Sequence, residues 1–395
     1  MESKNVLLLI GAIILLISYL IINEKINMSN NSYINEVNSS NKTLKYINSS
    51  YSIEHIIKIN DNFLICSGEH FQEHLISQKN ITNEIKEGSL LLYNIKTNEL
   101  NPIIIENFPK NIPFHPHGIA LYKINPNKYN LYVINHSIKS NPLENEERIE
   151  KLFLTINKRD LSLSFKNTKT LPKNFFGTLN SIAVINSNTI YFTTQKYFSQ
   201  PFLKYKDNYT TNWLNQKINK LYEWLNIIFT KLNLKRTYLY SYNWETEEIN
   251  VINNSEGISN HGLAYNSDKS LLYMARTYEK DIKVFEISRN DPSKALLIHD
   301  IKTIYHIINI IYDDEGKKIY GGLVGSMREF IEERDSNNVN IFCGFEEIDI
   351  NNNYEITDLV IMKDALNGVN SAIKINNDVY LSSAYKNGLL IYQKN

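Results

Sequence analysis

Pro116-His117-Gly118-Ile119-Ala120-Leu121-Tyr122, PHGIALY, sets a histidine before a small residue and a short apolar run, and five further segments share the pattern of a His or Asn, then a small or apolar residue, then a short apolar run. They are His55 in EHIIKI, Asn180 in NSIAVI, His261 in NHGLAYN, Asn309 in NIIYDD and Asn370 in NSAIKI. The separations are 62, 63, 81, 48 and 61 residues. A period near 60 is longer than the ~40–45 residues of WD-type blades, yet it suits four short strands per repeat around a channel. The intervening sequence agrees: FLICSG, LLLYNI, LYVINH, TIYFTT, YLYSYN and LLYMAR are short apolar or alternating runs bounded by Asn, Asp, Gly and Pro, and so read as strands. The pattern predicts an all-β, six-bladed β-propeller over residues 51–395, in which three histidines and three asparagines form a polar ring at the channel. Such a ring serves either a functional site or hydrogen bonding to channel water.

The 81-residue interval between Asn180 and His261 predicts an insertion on the channel face, about residues 209–235. Leu214, Ile218, Leu221, Leu225, Ile228 and Leu232 recur at helical spacing with Lys217, Lys220 and Lys231 among them, while Trp213, Tyr222 and Trp224 add interfacial rings. This amphipathic helix reads equally as one lying on a membrane or as a lid on the propeller.

Val6 to Ile22 contains no charge, and ~17–20 such residues suffice to cross a bilayer as a helix. Lys4 on the leading flank favours a cytoplasmic N-terminus. With no small-residue cleavage site after it, the run reads as an uncleaved signal anchor within residues 1–25, a cleaved signal peptide being the alternative. The rest of the chain is then exported to the ER lumen or extracellular space. Sequons begin at Asn27, Asn30, Asn38, Asn41, Asn48, Asn80, Asn135, Asn208 and Asn253, and their clustering before residue 50 suggests a glycosylated polar stalk over residues 26–50.

Lys plus Arg equals Asp plus Glu at 42 each, which removes any general electrostatic case for nucleic acid. Cys66 and Cys343 are too few for a disulfide scaffold, and their pairing is not readable. His70–His74, HFQEH, matches an H-x-x-E-H zinc motif, but that motif needs a helix and this stretch follows a strand. The sequence has no G-x-S-x-G elbow, C-x-x-C pair or Gly-rich phosphate loop.

FHPHGIALY followed by LYVINHS, with LNSIAVI, Tyr197-Phe198, NHGLAYNSDKSLLYMA and IINIIYDDEGKKIYGG, resembles the paraoxonase/arylesterase family across nearly the whole chain. The resemblance implies a six-bladed propeller with two calcium ions in its channel, a retained N-terminal apolar segment, and hydrolysis of lactones and aryl esters. It makes His117 the base that activates water and His136 its supporting histidine. A neutral imidazole suits that role, with a cation polarising the carbonyl. The implied metal positions are Glu54, Asn180, His261 and Asn309, with His55 and Ile119 at the second ion. Here the chain departs from the family: His261 replaces an Asn, Ile308 an Asp, and His55 and Ser181 two aspartates, leaving Glu54 the sole carboxylate. Calcium affinity depends on charged oxygen ligands, so the site reads as eroded; nitrogen donors at His55 and His261 suit another divalent metal, or none is bound. Thr194-Gln195-Lys196, Val324 and Gln393 depart from the family as well, the last removing its closing disulfide. Two functions follow: a hydrolase of small esters or lactones, or a catalytically silent accessory subunit or chaperone for a membrane-protein partner, as in nematode paraoxonase-like proteins that serve degenerin-type channels.

Overall fold

The computed structural model describes residues 42–70, 86–137, 146–157, 160–172, 175, 177–197, 224–226, 228–327, 329–330, 341–363, 365–366 and 368–394. The apolar run 6–22, the sequons at Asn27, Asn30, Asn38, Asn41, Asn80 and Asn208, and Phe198 lie outside them. Among the described residues no helix is long and apolar enough to cross a membrane.

The fold is all-β and propeller-like, built of antiparallel meanders. Strands β1 (Lys42–Asn60), β2 (Phe63–Glu69), β3 (Ser89–Asn94) and β4 (Glu99–Pro102) form one. Next come β5 (Ile105–Glu106), β6 (Pro116–Asn125), β7 (Lys128–Ser137), β8 (Glu146–Asn157) and β9 (Asp160–Thr170), with β5 added parallel to β9. The pattern repeats as β10 (Thr178–Val184), β11 (Thr189–Lys196), β12 (Leu239–Asn243) and β13 (Ile249–Val251). It continues as β14 (Asn260–Asn266), β15 (Leu271–Arg276), β16 (Asp281–Ile287) and β17 (Ala295–Lys302), then β18 (His306–Asp313), β19 (Lys318–Val324), β20 (Cys343–Asp349) and β21 (Glu355–Met362). Finally β22 (Ser371–Ile375), β23 (Asp378–Ser382) and β24 (Asn387–Lys394) are joined by the leading half of β1, where Lys42–Ile47 pairs with Leu389–Lys394. The first strands β1, β6, β10, β14, β18 and β22 each contact the next, and β22 contacts β1.

Pairing with β24 corrects one boundary: residues 42–50, read from sequence as stalk, are strand. Their sequence disguised them, because this outermost strand is largely exposed, with Ile47 its buried residue. Burial follows the same gradient, with β2 and β10 buried throughout, β4 largely exposed and β13 half-buried to exposed. Apolar clusters fill the spaces between successive meanders; Leu263, Leu272 and Phe285 pack with Tyr191 and Leu239, for example.

Several asparagines have a local structural role. Asn60, Asn94, Asn186 and Asn243 each turn a side-chain oxygen back to accept the main-chain N–H groups two and three residues on, closing the hairpins. One sequon is excluded outright: Asn135 is fully buried and hydrogen-bonded, unreachable for glycosylation in the folded protein. Cys66 and Cys343 are both buried and do not form a disulfide with each other. Of the amphipathic stretch, residues 213–223 are outside the description, while 224–226 and 228–231 are helical as expected.

The recurring His/Asn sits at an irregularity of the first strand. Register breaks between Ile53 and His55, Pro116 and Ile119, Leu179 and Ile182, Asn260 and Leu263, and Ile307 and Ile310 bracket or adjoin the repeated residue. Bulges of this kind re-aim side chains. The small residue that follows has its own reason. A Cβ on Gly118 would lie 2.4 Å from the Asn180 carbonyl oxygen, and one on Gly262 would lie 2.4 Å from the Ile310 nitrogen. Glycine thus lets adjacent first strands touch backbone to backbone. Gly262→Ala is expected to cost about 1–3 kcal/mol, read as a lowered thermal midpoint by circular dichroism, whereas alanine at the exposed strand residue Glu286 is expected to cost far less.

Candidate active site

The bulged residues converge on one buried polar cluster. Glu54 is 6% exposed; its Oε2 accepts from Asn370 Nδ2 at 2.8 Å, and its Oε1 lies 3.5 Å from His117 Nε2. Its main-chain oxygen accepts from Ser371 Oγ at 3.1 Å and Asn309 Nδ2 at 3.3 Å. Asn180 Nδ2 lies 3.0 Å from His117 Nε2. The structure therefore joins Glu54, His117, Asn180, Asn309 and Asn370 directly, although they span three hundred residues of sequence.

His136, on the strand beside His117, stacks obliquely on it with ring centroids 4.9 Å apart. Its Nδ1 is 2.9 Å from Glu147 Oε2, which also accepts the Leu179 N–H at 3.2 Å. His115 Nδ1 lies 3.3 Å from Glu69 Oε1, a second histidine–carboxylate contact. Sequence reading overlooked Glu147, Glu69 and His115. Glu147 becomes visible only through the hairpin register that sets it opposite His136.

Electrostatics favour neutral groups. Burial pushes the Glu54 carboxyl up to about 7 against the hydrogen bonds of Asn370 and Asn309. Burial holds His117 well below the usual imidazole range, helped by His136, His261 and His55 nearby. Burial takes His55 down to about 4, and burial with Lys196 takes His261 down to about 3. His136 goes the other way: burial disfavours its charge, but Glu147, Glu69 and Glu54 outweigh that and raise it.

The residues at the implied second ion use their acceptors within the protein. His55 Nδ1 accepts the Ile119 N–H at 3.2 Å, and Ser181 Oγ accepts the Leu263 N–H at 3.0 Å. His261 Nε2 is 2.9 Å from Ser259 Oγ. Ile308 and Val324 pack with Phe330 and Ile341 in an apolar cluster. Asn180 Oδ1, His55 Nε2 and His261 Nδ1 are buried without a hydrogen-bond partner among the described residues, as polar atoms facing water or a ligand would be. A calcium ion needs about 6–8 oxygens, several of them charged; here Glu54 alone is a carboxylate, and Asn370 occupies one of its oxygens. The donor set does not fit calcium. Among the described residues no three His, Cys, Asp or Glu side chains are grouped to hold any metal ion.

An all-β propeller-like fold with a buried His/Asn/Glu cluster defines a class, and sequence comparison narrows it. Residues 77–217 match the Arylesterase family model. Human serum paraoxonase/arylesterase 2 is 27% identical over 210 residues, 53% of this chain and 49% of that one. Mouse serum paraoxonase/arylesterase 1 is 23% identical over 276 residues, 61% and 72% of the two chains. The chain is similar to these paraoxonase/arylesterase proteins, and its match spans about half the length of the paraoxonase/arylesterase 2 relatives. Among solved structures, luciferin-regenerating enzyme aligns with TM-score 0.49 and 10% identity over 90% of this chain and 95% of that one. A gluconolactonase from Xanthomonas campestris aligns with TM-score 0.47 and 9% identity over 90% of each.

A fold that depends on a bound ion loses several kcal/mol when the ion is chelated. For this chain, excess EDTA or millimolar calcium is expected to move the thermal midpoint by less than about 1 °C, checked by calorimetry.

Proposed function

We propose that the chain is a six-bladed propeller hydrolase of lactones or aryl esters, exported and held at a membrane by its N-terminal apolar run, with His117 as the base. The observation that carries this reading is the sequence His117, His136, Glu147: an imidazole kept neutral by burial, beside a second imidazole hydrogen-bonded to a carboxylate. Relationship to esterases makes that arrangement meaningful, since fold alone does not assign chemistry.

In this reading His117 accepts a proton from water as the water oxygen bonds to the carbonyl carbon and the carbonyl π pair moves onto oxygen. One N–H of each of the Asn180, Asn309 and Asn370 amides is directed at His117 Nε2, the Glu54 main-chain oxygen and Glu54 Oε2 respectively, and the second N–H of each is the donor for that oxyanion. Collapse of the tetrahedral species restores the carbonyl and breaks the ester C–O bond. The leaving oxygen takes the proton back from His117, so that no proton is gained or lost by the protein.

One observation favours a second reading. Ile308 and Val324 stand where the family resemblance implies an aspartate and a pocket histidine, and both are sealed in hydrocarbon with Phe330 and Ile341. A silent propeller assisting a membrane-protein partner needs no such side chains. The full chain, expressed in a secretory host, is assayed with phenyl acetate and δ-valerolactone. His117→Ala is expected to lower kcat/KM by about 100-fold or more, with the thermal midpoint retained. No turnover in the parent, or turnover that survives the substitution, overturns the hydrolase and leaves the accessory role.

A further inference from the structure

Glu147 has no assigned part, yet its geometry is that of an orienting group. It lies on β8 opposite His136 on β7 in an antiparallel register, Asn135 opposite Arg148 and Ser137 opposite Glu146 on either side. Its Oε2 accepts from His136 Nδ1 at 2.9 Å, a charge-assisted bond length, and from the Leu179 N–H at 3.2 Å. The side chain is only 12% exposed, so water competes weakly for those bonds.

The second bond reaches across to the neighbouring meander. Leu179 immediately precedes Asn180, whose amide meets His117 Nε2. One carboxylate oxygen therefore ties the two sides of the His117 environment together: the His136 ring on one, the strand that presents Asn180 on the other. With Nδ1 bonded to Glu147, the His136 ring edge carrying Nε2 faces away from that carboxylate, and the ring stands 4.9 Å from His117.

We propose that Glu147 is a positioning residue that holds His136 in its Nδ1–H tautomer and fixes the ring beside His117. This rests on the hydrolase reading for its consequence in turnover, but the tautomer and ring placement stand apart from it. An oriented imidazole is worth more to a neighbouring base than one free to rotate, because no ordering is needed when the proton moves. An outer hydrogen-bond partner of this kind contributes about 10–100-fold where measured in metal-bound histidines.

The test uses the full chain and two readouts. In the first, Glu147→Gln is expected to lower kcat on the order of 10–100-fold with KM nearly unchanged, and Glu147→Asp to recover part of the loss. In the second, selective 15N-histidine labelling is expected to show a low-field Nδ1–H proton for His136 in the parent and in His117→Ala, absent in Glu147→Gln. If Glu147→Gln does not fold by circular dichroism, Glu147→Asp is compared with the parent through the same resonance. A low-field signal absent from the parent, or unchanged in Glu147→Gln, overturns the proposal. So does an undiminished kcat in Glu147→Gln when His117→Ala has lost activity. A parent without turnover removes the hydrolase reading alone, and the resonance still decides whether Glu147 holds His136.

Discussion

The structure depends on backbone-to-backbone contact between the first strands of successive meanders. Gly118 against Asn180 and Gly262 against Asn309 and Ile310 permit that approach, and the register breaks beside them turn polar side chains inward. Close packing at the axis therefore creates the polar cluster and also removes it from water. Every group there must be neutral, paired or hydrogen-bonded, since an isolated buried charge is too costly to keep.

The cluster meets this demand largely with hydrogen bonds. Where charged oxygens around an ion would otherwise cross-link neighbouring strands, His55 to Ile119, Ser181 to Leu263, and Glu54 to Ser371 and Asn309 do so with neutral donors and acceptors. Burial raises the Glu54 carboxyl to about 7 and favours the uncharged forms of His55, His117 and His261. In the proposed hydrolase an oxyanion would be met by amide dipoles, a weaker stabiliser than a divalent ion, and turnover would rely more on orientation, the part proposed for the His136–Glu147 contact.

The same neutrality makes the site compatible with a structural life. Hydrocarbon at Ile308 and Val324 joins the apolar cluster of Phe330 and Ile341, and an accessory role would ask no catalysis of the polar cluster. The two roles differ by whether a substrate can reach His117, a question of access at a site where His117 and His136 are less than a tenth exposed.

The sequence by itself determined the all-β character, the repeat that carries His55, His117, Asn180, His261, Asn309 and Asn370, and the retention of a single carboxylate, Glu54, among the implied ligand positions. Periodicity and residue chemistry are local properties and survive in one dimension. It misplaced the start of the folded region, because residues 42–50 acquire their strand partner from the far end of the chain. It counted Asn135 as a glycosylation candidate, since burial leaves no mark on a tripeptide. Glu147 and Glu69 were invisible as site residues for a related reason: their partners are chosen by hairpin register and by strands meeting across an axis. Those pairings depend on which backbones come within hydrogen-bonding distance, and that is decided only when the ring of sheets has formed.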